Sequence, residues 1–263
     1  MTAETLLELE HVTKRFGQVV IADDLSFSVG AGDVVGIVGP NGAGKTSLFG
    51  LISGDLAPDA GVIRFAGSPV VRLDSAARCR LGIGRTYQVP RPFGDMTVFE
   101  NLLVAAQQGG RLRRRPSYAA AVEALERAGM TGHANVAAER LGLIQRKRLE
   151  LARALATRPT LLLLDEVAGG LTDPEVAQLV EIVRGVNADG IAVIWIEHVV
   201  RALTAVVSRL ICLAGGKFVG DGEPSAVLAD HAVREVFLGT DVTAALAGGS
   251  LDAASARGDR SEP

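Results

Sequence analysis

The chain has 263 residues, 48% of them apolar, and a formal net charge of −3. That apolar content excludes global disorder, and the near-balanced charge gives no bulk attraction to nucleic acid or anionic lipid. The two cysteines, Cys79 and Cys212, lie far apart in apolar surroundings, which argues for buried thiols in a cytosolic setting and against a disulfide or metal site. Along the chain, residues 6–12 and 25–29 alternate apolar and polar side chains and predict half-exposed strands, with a glycine turn at 30–32. The β-branched run 34–38 predicts a buried strand, and residues 47–52 the start of a helix. Residues 62–65 form another short strand between Gly61 and Gly67, so that an antiparallel sheet flanks the buried strand. From 76 to about 155 the character is mostly helical, with an alanine- and glutamate-rich stretch at 119–128 and a strong helical pattern at 145–156. Residues 161–165 and 191–196 return as apolar, parallel, buried strands. Residues 209–213 and 217–219 close a hairpin across Gly215 and Gly216. After Gly239 the composition turns to Ala, Gly, Ser and Asp and predicts a loosely ordered tail. No charge-free stretch reaches the roughly 18 residues that a membrane helix needs, so any span has to come from another chain.

Two segments carry chemistry on their own. Gly39, Pro40, Asn41, Gly42, Ala43, Gly44, Lys45 and Thr46 fit the pattern G-x-x-x-x-G-K-[ST]. A loop between strand and helix aims successive backbone N–H groups at one point and adds the positive end of the helix dipole. The glycines let the backbone wrap an anion, Lys45 reaches the β/γ-phosphates, and the Thr46 hydroxyl is an expected ligand of Mg²⁺. With Ser47 opening the helix, this stretch is the expected nucleoside-triphosphate site. Further on, Asp165 and Glu166 end the apolar run 161–164. A buried strand delivers both carboxylates to its C-terminal edge, where α/β sheets bind ligands. Asp165 is the expected holder of Mg²⁺, and Glu166 the expected general base that orients and deprotonates water. Asp165 alone could equally be a helix cap; the phosphate loop upstream selects the catalytic reading.

The order of further motifs carries a resemblance. Gly84-Arg-Thr-Tyr-Gln88, Met96-Thr-Val-Phe-Glu-Asn-Leu102, Arg148-Leu-Glu-Leu-Ala-Arg153, Ile196-Glu-His-Val199 and Ala232-Val-Arg-Glu-Val-Phe-Leu-Gly239 follow the two segments above. The chain resembles the nucleotide-binding subunit of ABC transporters over residues 5–240, and within that family the ATP-binding proteins of branched-chain amino acid uptake. The resemblance implies an α/β fold: a P-loop NTPase core of ABC-ATPase type with an antiparallel β subdomain and an inserted α-helical subdomain. Residues 5–75 and 158–240 would form the core and β subdomain, 76–157 the helical subdomain, and 241–263 a flexible tail. It implies hydrolysis of ATP with Mg²⁺, a second ABC ATPase subunit, identical or not, and transmembrane permease subunits at the cytoplasmic face of the membrane. No nucleic-acid partner is implied. Phe16 matches the aromatic that stacks on adenine, its alternative being a core phenylalanine. Gln88 matches the glutamine that contacts Mg²⁺ and water and senses the permease, and His198 the histidine that contacts the γ-phosphate. Residues 88–102 match the segment on which the permease docks.

The chain departs from the family where Leu-Ser-Gly-Gly-Gln is usual. Leu141-Gly-Leu-Ile-Gln145 stands there, with Ile144 in place of the second glycine. A β-branched residue disfavours positive φ and obstructs close approach of the backbone to phosphate, and Gly142 has no hydroxyl to offer. The dipole of a helix beginning near Gln145 could still act. Val167-Ala-Gly-Gly-Leu-Thr172 likewise replaces a proline-containing run ending in Asp or Asn. These changes lead to the expectation of a competent phosphate loop paired with a weak signature. They keep open a nearly inactive regulatory subunit; a soluble, non-transport ABC ATPase is the further alternative. The basic cluster Arg111, Arg113, Arg114 and Arg115 reads as a solvated loop.

Overall fold

The computed structural model describes residues 4–238; the tail expected at 241–263 lies outside them. In chain order the elements are β1 (Thr5–Phe16), β2 (Val19–Gly30), β3 (Val34–Val38), α1 (Lys45–Ser53), β4 (Ala60–Phe65), β5 (Ser68–Pro69), α2 (Ser75–Leu81), β6 (Ile83–Arg85), α3 (Val98–Gln108), α4 (Arg115–Arg127), α5 (Leu143–Ala156), β7 (Leu161–Asp165), α6 (Asp173–Ala188), β8 (Ala192–Ile196), α7 (Val200–Thr204), β9 (Arg209–Ala214), β10 (Lys217–Gly222), α8 (Pro224–Ala229) and α9 (His231–Leu238). Short 3₁₀ turns at Thr131–His133 and Ala138–Arg140 join α4 to α5.

The strands form two sheets. One is antiparallel, in the order β2-β1-β4-β5; the other runs β10-β9-β3-β8-β7-β6 and is parallel except for its edge strand β10. The central strands β3, β7 and β8 are buried along their whole length, because both faces of this sheet are covered. Alternate residues of one strand enter different cores. Leu161 and Leu163 pack with α1 and the antiparallel sheet; Leu162 and Leu164 pack with the helices on the other side. A period-2 strand covered on both faces needs apolar residues at every position, and this is why 161–164 is a run of leucines rather than an alternation.

Local chemistry starts and stops the helices. Thr97 and Glu100 form a reciprocal capping box at α3, and at α6 the Glu175 carboxylate accepts from the Thr172 amide and hydroxyl. Between residues 76 and 155 the regular elements are helices joined by loops, except for β6, which pairs in parallel with Leu161–Leu163. Three residues are too few to show a period in sequence.

Arg78 sets the far end of α1. It is fully buried, and its guanidinium donates to the carbonyls of Leu51 (2.6 Å) and Ile52 (2.9 Å) in the last turn of α1 and to Leu73 (3.1 Å). A cation at a helix C-terminus answers both the orphan carbonyls and the dipole. Burial lowers the Arg78 pKa, opposed by the charge of Asp55. Replacing Arg78 with Met leaves these carbonyls without donors. We expect a loss of about 2–6 kcal/mol in unfolding free energy, summed over two buried acceptors and measured by urea denaturation. An unchanged midpoint would show that the end of α1 does not depend on Arg78.

Candidate functional site

The loop from β3 to α1 is built on backbone that only glycine tolerates at two close approaches. Gly39 has φ 153°, and a Cβ on it would sit 2.0 Å from the Leu213 carbonyl oxygen. Gly44 has φ 103°, and its Cβ would meet the Ile21 carbonyl oxygen at 2.4 Å. Gly44 is the N-cap of α1 and no side chain caps the helix. The first-turn amides of α1, from Lys45 through Thr46 and Ser47, therefore point into the loop, as an anion cradle requires. Pro40, Asn41, Gly42 and Ala43 complete the loop, closed by a bond from the Ala43 amide to the Pro40 carbonyl. The buried Lys45 Nζ donates to the carbonyls of Gly39 (2.8 Å) and Pro40 (2.9 Å), which holds its ammonium over the loop. Burial lowers the Lys45 pKa, and the charges of Glu166 and Asp165 oppose that.

Asp165, the last residue of β7, is buried beside this loop. Burial pushes its carboxyl above the usual range, and Arg85 opposes the shift from 3.2 Å. Arg85 is itself tied to Asp55 and Ser53, and its guanidinium lies over the rings of Tyr87 and Phe49. Asp165 Oδ1 is buried with no hydrogen-bond partner. That orphaned oxygen fits the needs of a hydrated cation. Among the described residues no three His, Cys, Asp or Glu side chains gather to hold a metal. A hydroxyl, one carboxylate and phosphate oxygens are the donor set that suits Mg²⁺, so Thr46, exposed at the start of α1, and Asp165 would hold it together with the nucleotide.

Glu166 follows with φ 47°, in the left-handed region, its amide donating to the Ile196 carbonyl at 2.9 Å. Gln88 Nε2 donates to Glu166 Oε2 at 2.6 Å and joins the β6 edge to this acid. His198 stands exposed after β8; its Cε1 would lie 3.2 Å from a Cβ on Gly169, in the loop after Glu166. Lys45, Asp165, Glu166 and Gln88 thus converge at one sheet edge, with His198 beside the next loop. Phe16 is apart from them, 52% exposed near the tip of the β1–β2 hairpin with Lys14 Nζ over its ring. It is no core residue, and an exposed ring can serve as a stacking platform.

Four buried or nearly buried residues were not singled out by the motifs, three of them at the site and Arg78 at the far end of α1. Arg85 and Arg78 are described above. Glu197 is fully buried, accepts a hydrogen bond from the Ala168 amide, and leaves Oε2 without a hydrogen bond, with His198 Nδ1 3.7 Å away. Burial raises its pKa, partly offset by that amide. Lys147 of α5 is buried and donates to the carbonyls of Glu166 and Gly169. Only an acid ending an apolar strand, and a lysine among arginines, marked these last two in sequence.

The loop 141–145 corrects one expectation. Leu143 and Ile144 lie inside α5 and are absent from the positive-φ residues, so a β-branched side chain meets no backbone strain there. What remains is bulk: Leu143 is half exposed where glycine is usual, and Gly142 caps α5 with no side-chain bond. Cys79 is also only half buried, whereas Cys212 is buried and its thiol is pushed up to about 11 by desolvation; both are free. Arg111, Arg113, Arg114 and Arg115 are exposed.

Residues 22–169 match the ABC transporter family. The chain is 32% identical to the high-affinity branched-chain amino acid transport ATP-binding protein BraF of Pseudomonas aeruginosa, over an alignment covering 89% of this chain and 98% of BraF. It is equally 32% identical to the high-affinity branched-chain amino acid transport ATP-binding protein LivG of Escherichia coli, with coverage of 90% and 99%. Among solved structures, an ATP-binding cassette of an ABC transporter in its ADP conformation superposes with a TM-score of 0.82 at 29% identity, covering 90% of this chain and 99% of that one. With a family match over more than half its length and relatives this similar from end to end, the chain belongs to the ABC transporter ATP-binding subunits.

Proposed function

We propose that this ATPase subunit binds ATP on the Lys45 loop, hydrolyses it with Glu166 as general base, and drives a permease that imports branched-chain amino acids or a related small solute. The observation that carries the chemistry is the convergence of Lys45, Asp165, Glu166 and Gln88 at the C-terminal edge of the parallel sheet. The solute is proposed from the similarity to BraF and LivG, since no residue of this site would touch it.

In this reading the first-turn amides of α1 and Lys45 bind the phosphates and neutralise charge in the transition state. Mg²⁺, held by Thr46 and Asp165, supplies further neutralisation when bound. Gln88 orients the Glu166 carboxylate through their hydrogen bond, Glu166 takes the proton of the attacking water, and His198 contacts the γ-phosphate. Phe16 stacks on the adenine. Gln88 lies in a loop with the exposed side chains Tyr87, Val89, Phe93 and Met96, beside a cavity of about 280 Å³ lined by Tyr87, Phe93, Gln108 and Glu150. An apolar, concave surface linked to Glu166 through Gln88 suits a docking permease. No helix among the described residues is long and apolar enough to cross a membrane, and the protein would sit on the membrane through that permease.

A second ABC ATPase subunit would close over the nucleotide. The bulk of Leu143 at the mouth of α5 favours a sister chain with an intact signature over a homodimer. Two measurements test the function. Glu166→Gln should retain ATP binding and lower kcat by about 10²–10⁴-fold, the usual weight of a general base. Gel filtration of that variant with ATP should leave the chain monomeric alone and dimeric with its sister; an ATP-dependent homodimer would overturn the heterodimer reading. Asp165 must be ionised to act, and burial already raises its pKa against the pull of Arg85. Arg85→Met should therefore move the acid limb of the kcat/KM profile to higher pH. An unmoved limb would sever Arg85 from the chemistry.

A further inference from the structure

The segment from Glu166 to Gly169 is held from two directions. At the end of β8, the Ile196 carbonyl accepts the Glu166 amide and the buried Glu197 carboxylate accepts the Ala168 amide. From α5, the Lys147 ammonium donates to the Glu166 carbonyl, at a long 3.4 Å, and to the Gly169 carbonyl. Glu166 itself has φ 47°, a conformation that a residue with a side chain keeps only where its surroundings over-determine it. Lys147 is 8% exposed, one turn after the 141–145 loop. The same helix touches the segment a second time, since Leu143 Cδ2 lies 3.5 Å from where a Cβ on Gly170 would stand. The carboxylates of Glu197 and Glu166 face the ammonium and favour its charged form against the cost of burial.

We propose that Lys147 is a positioning residue for hydrolysis. It ties the helix that carries the 141–145 loop to the backbone of Glu166, so that engagement of that loop by the nucleotide on the opposing subunit is felt at this chain's own general base. The inference rests on the roles proposed above for Glu166 and for the paired subunit. Its physical basis is the stiffness of α5, whose Leu149, Leu151 and Ala152 are fully buried. A shift at the start of such a helix passes to its second turn with little loss. There the only charged donor reaching 166–169 among the described residues is Lys147. Burying an ammonium on carbonyls, with no carboxylate in ion-pair contact, is costly for stability alone.

The test compares the full-length wild type with Lys147→Met and Lys147→Arg, each paired with the sister subunit, using Mg–ATP. Positioning predicts ATP binding within about twofold of wild type and kcat lower by about 10- to 100-fold in the methionine variant, the scale of a small misplacement of a reacting group. The Hill coefficient of hydrolysis should fall toward 1, amide exchange should speed up over 166–170 but not over 39–47, and arginine should restore part of kcat. Unchanged kcat and Hill coefficient in both variants would overturn the proposal. So would affinity, turnover and global exchange protection failing together, which marks a purely structural lysine. Should the methionine variant not fold, the arginine variant carries the same separation of kcat from affinity. A wild type that binds no ATP would instead overturn the functional reading, and this proposal with it.

Discussion

Charges held out of water at the C-terminal edge of the parallel sheet constrain everything else in this protein. Lys45, Asp165, Arg85, Lys147 and Glu197 are buried or nearly so, at the C-terminal ends of the strands or against the loops that follow them. Each costs several kcal/mol to desolvate in isolation, and each is tolerable only because neighbours answer it. Backbone carbonyls answer the two ammonium groups, an amide answers Glu197, and Arg85 answers Asp165. The answers remain incomplete: Asp165 Oδ1 and Glu197 Oε2 are buried without hydrogen-bond partners. Incomplete satisfaction in a low-dielectric edge is what makes a site receptive to a charged ligand, because the ligand supplies interactions that the fold withholds.

The apolar layers make that edge rigid enough to matter. β3, β7 and β8 are covered on both faces, so their ends are fixed by two independent cores. Side chains at the strand termini inherit the precision of the sheet, whereas the loops that follow can adjust. Glu166 sits at the junction of the two regimes. Its amide is bound to β8, its carboxylate to Gln88 from the β6 edge, and its carbonyl to α5. Three elements far apart in the chain thus meet at one residue.

The altered signature gains a physical meaning from the same geometry. Helical backbone at Leu143 and Ile144 removes any penalty for β-branching, and an uncapped N-terminus at Gly142 leaves the positive end of the α5 dipole free. The departure from the family is therefore one of bulk and of a missing hydroxyl rather than of backbone strain.

Much of this was legible in the sequence. The phosphate loop, the leucine run ending in Asp165 and Glu166, and the parallel strands announced themselves because their signals are local: a fixed spacing of glycines, a period, a charge at the end of an apolar run. Gln88 and His198 were legible only through resemblance, since a single polar residue after a strand has no pattern of its own. Arg78, Arg85, Lys147 and Glu197 were not legible. Their roles depend on carbonyls, amides and a carboxylate 5 to 80 positions away, as in the bond from Arg85 to Asp165. The backbone conformation at Ile144 was misjudged for a related reason, because the helix begins two residues earlier than its polar pattern suggested. By itself, then, the sequence determined which segments could bind phosphate and bury a sheet. Only the tertiary structure decided which buried charges answer one another, because that pairing depends on distances the chain sets when distant strands and helices pack.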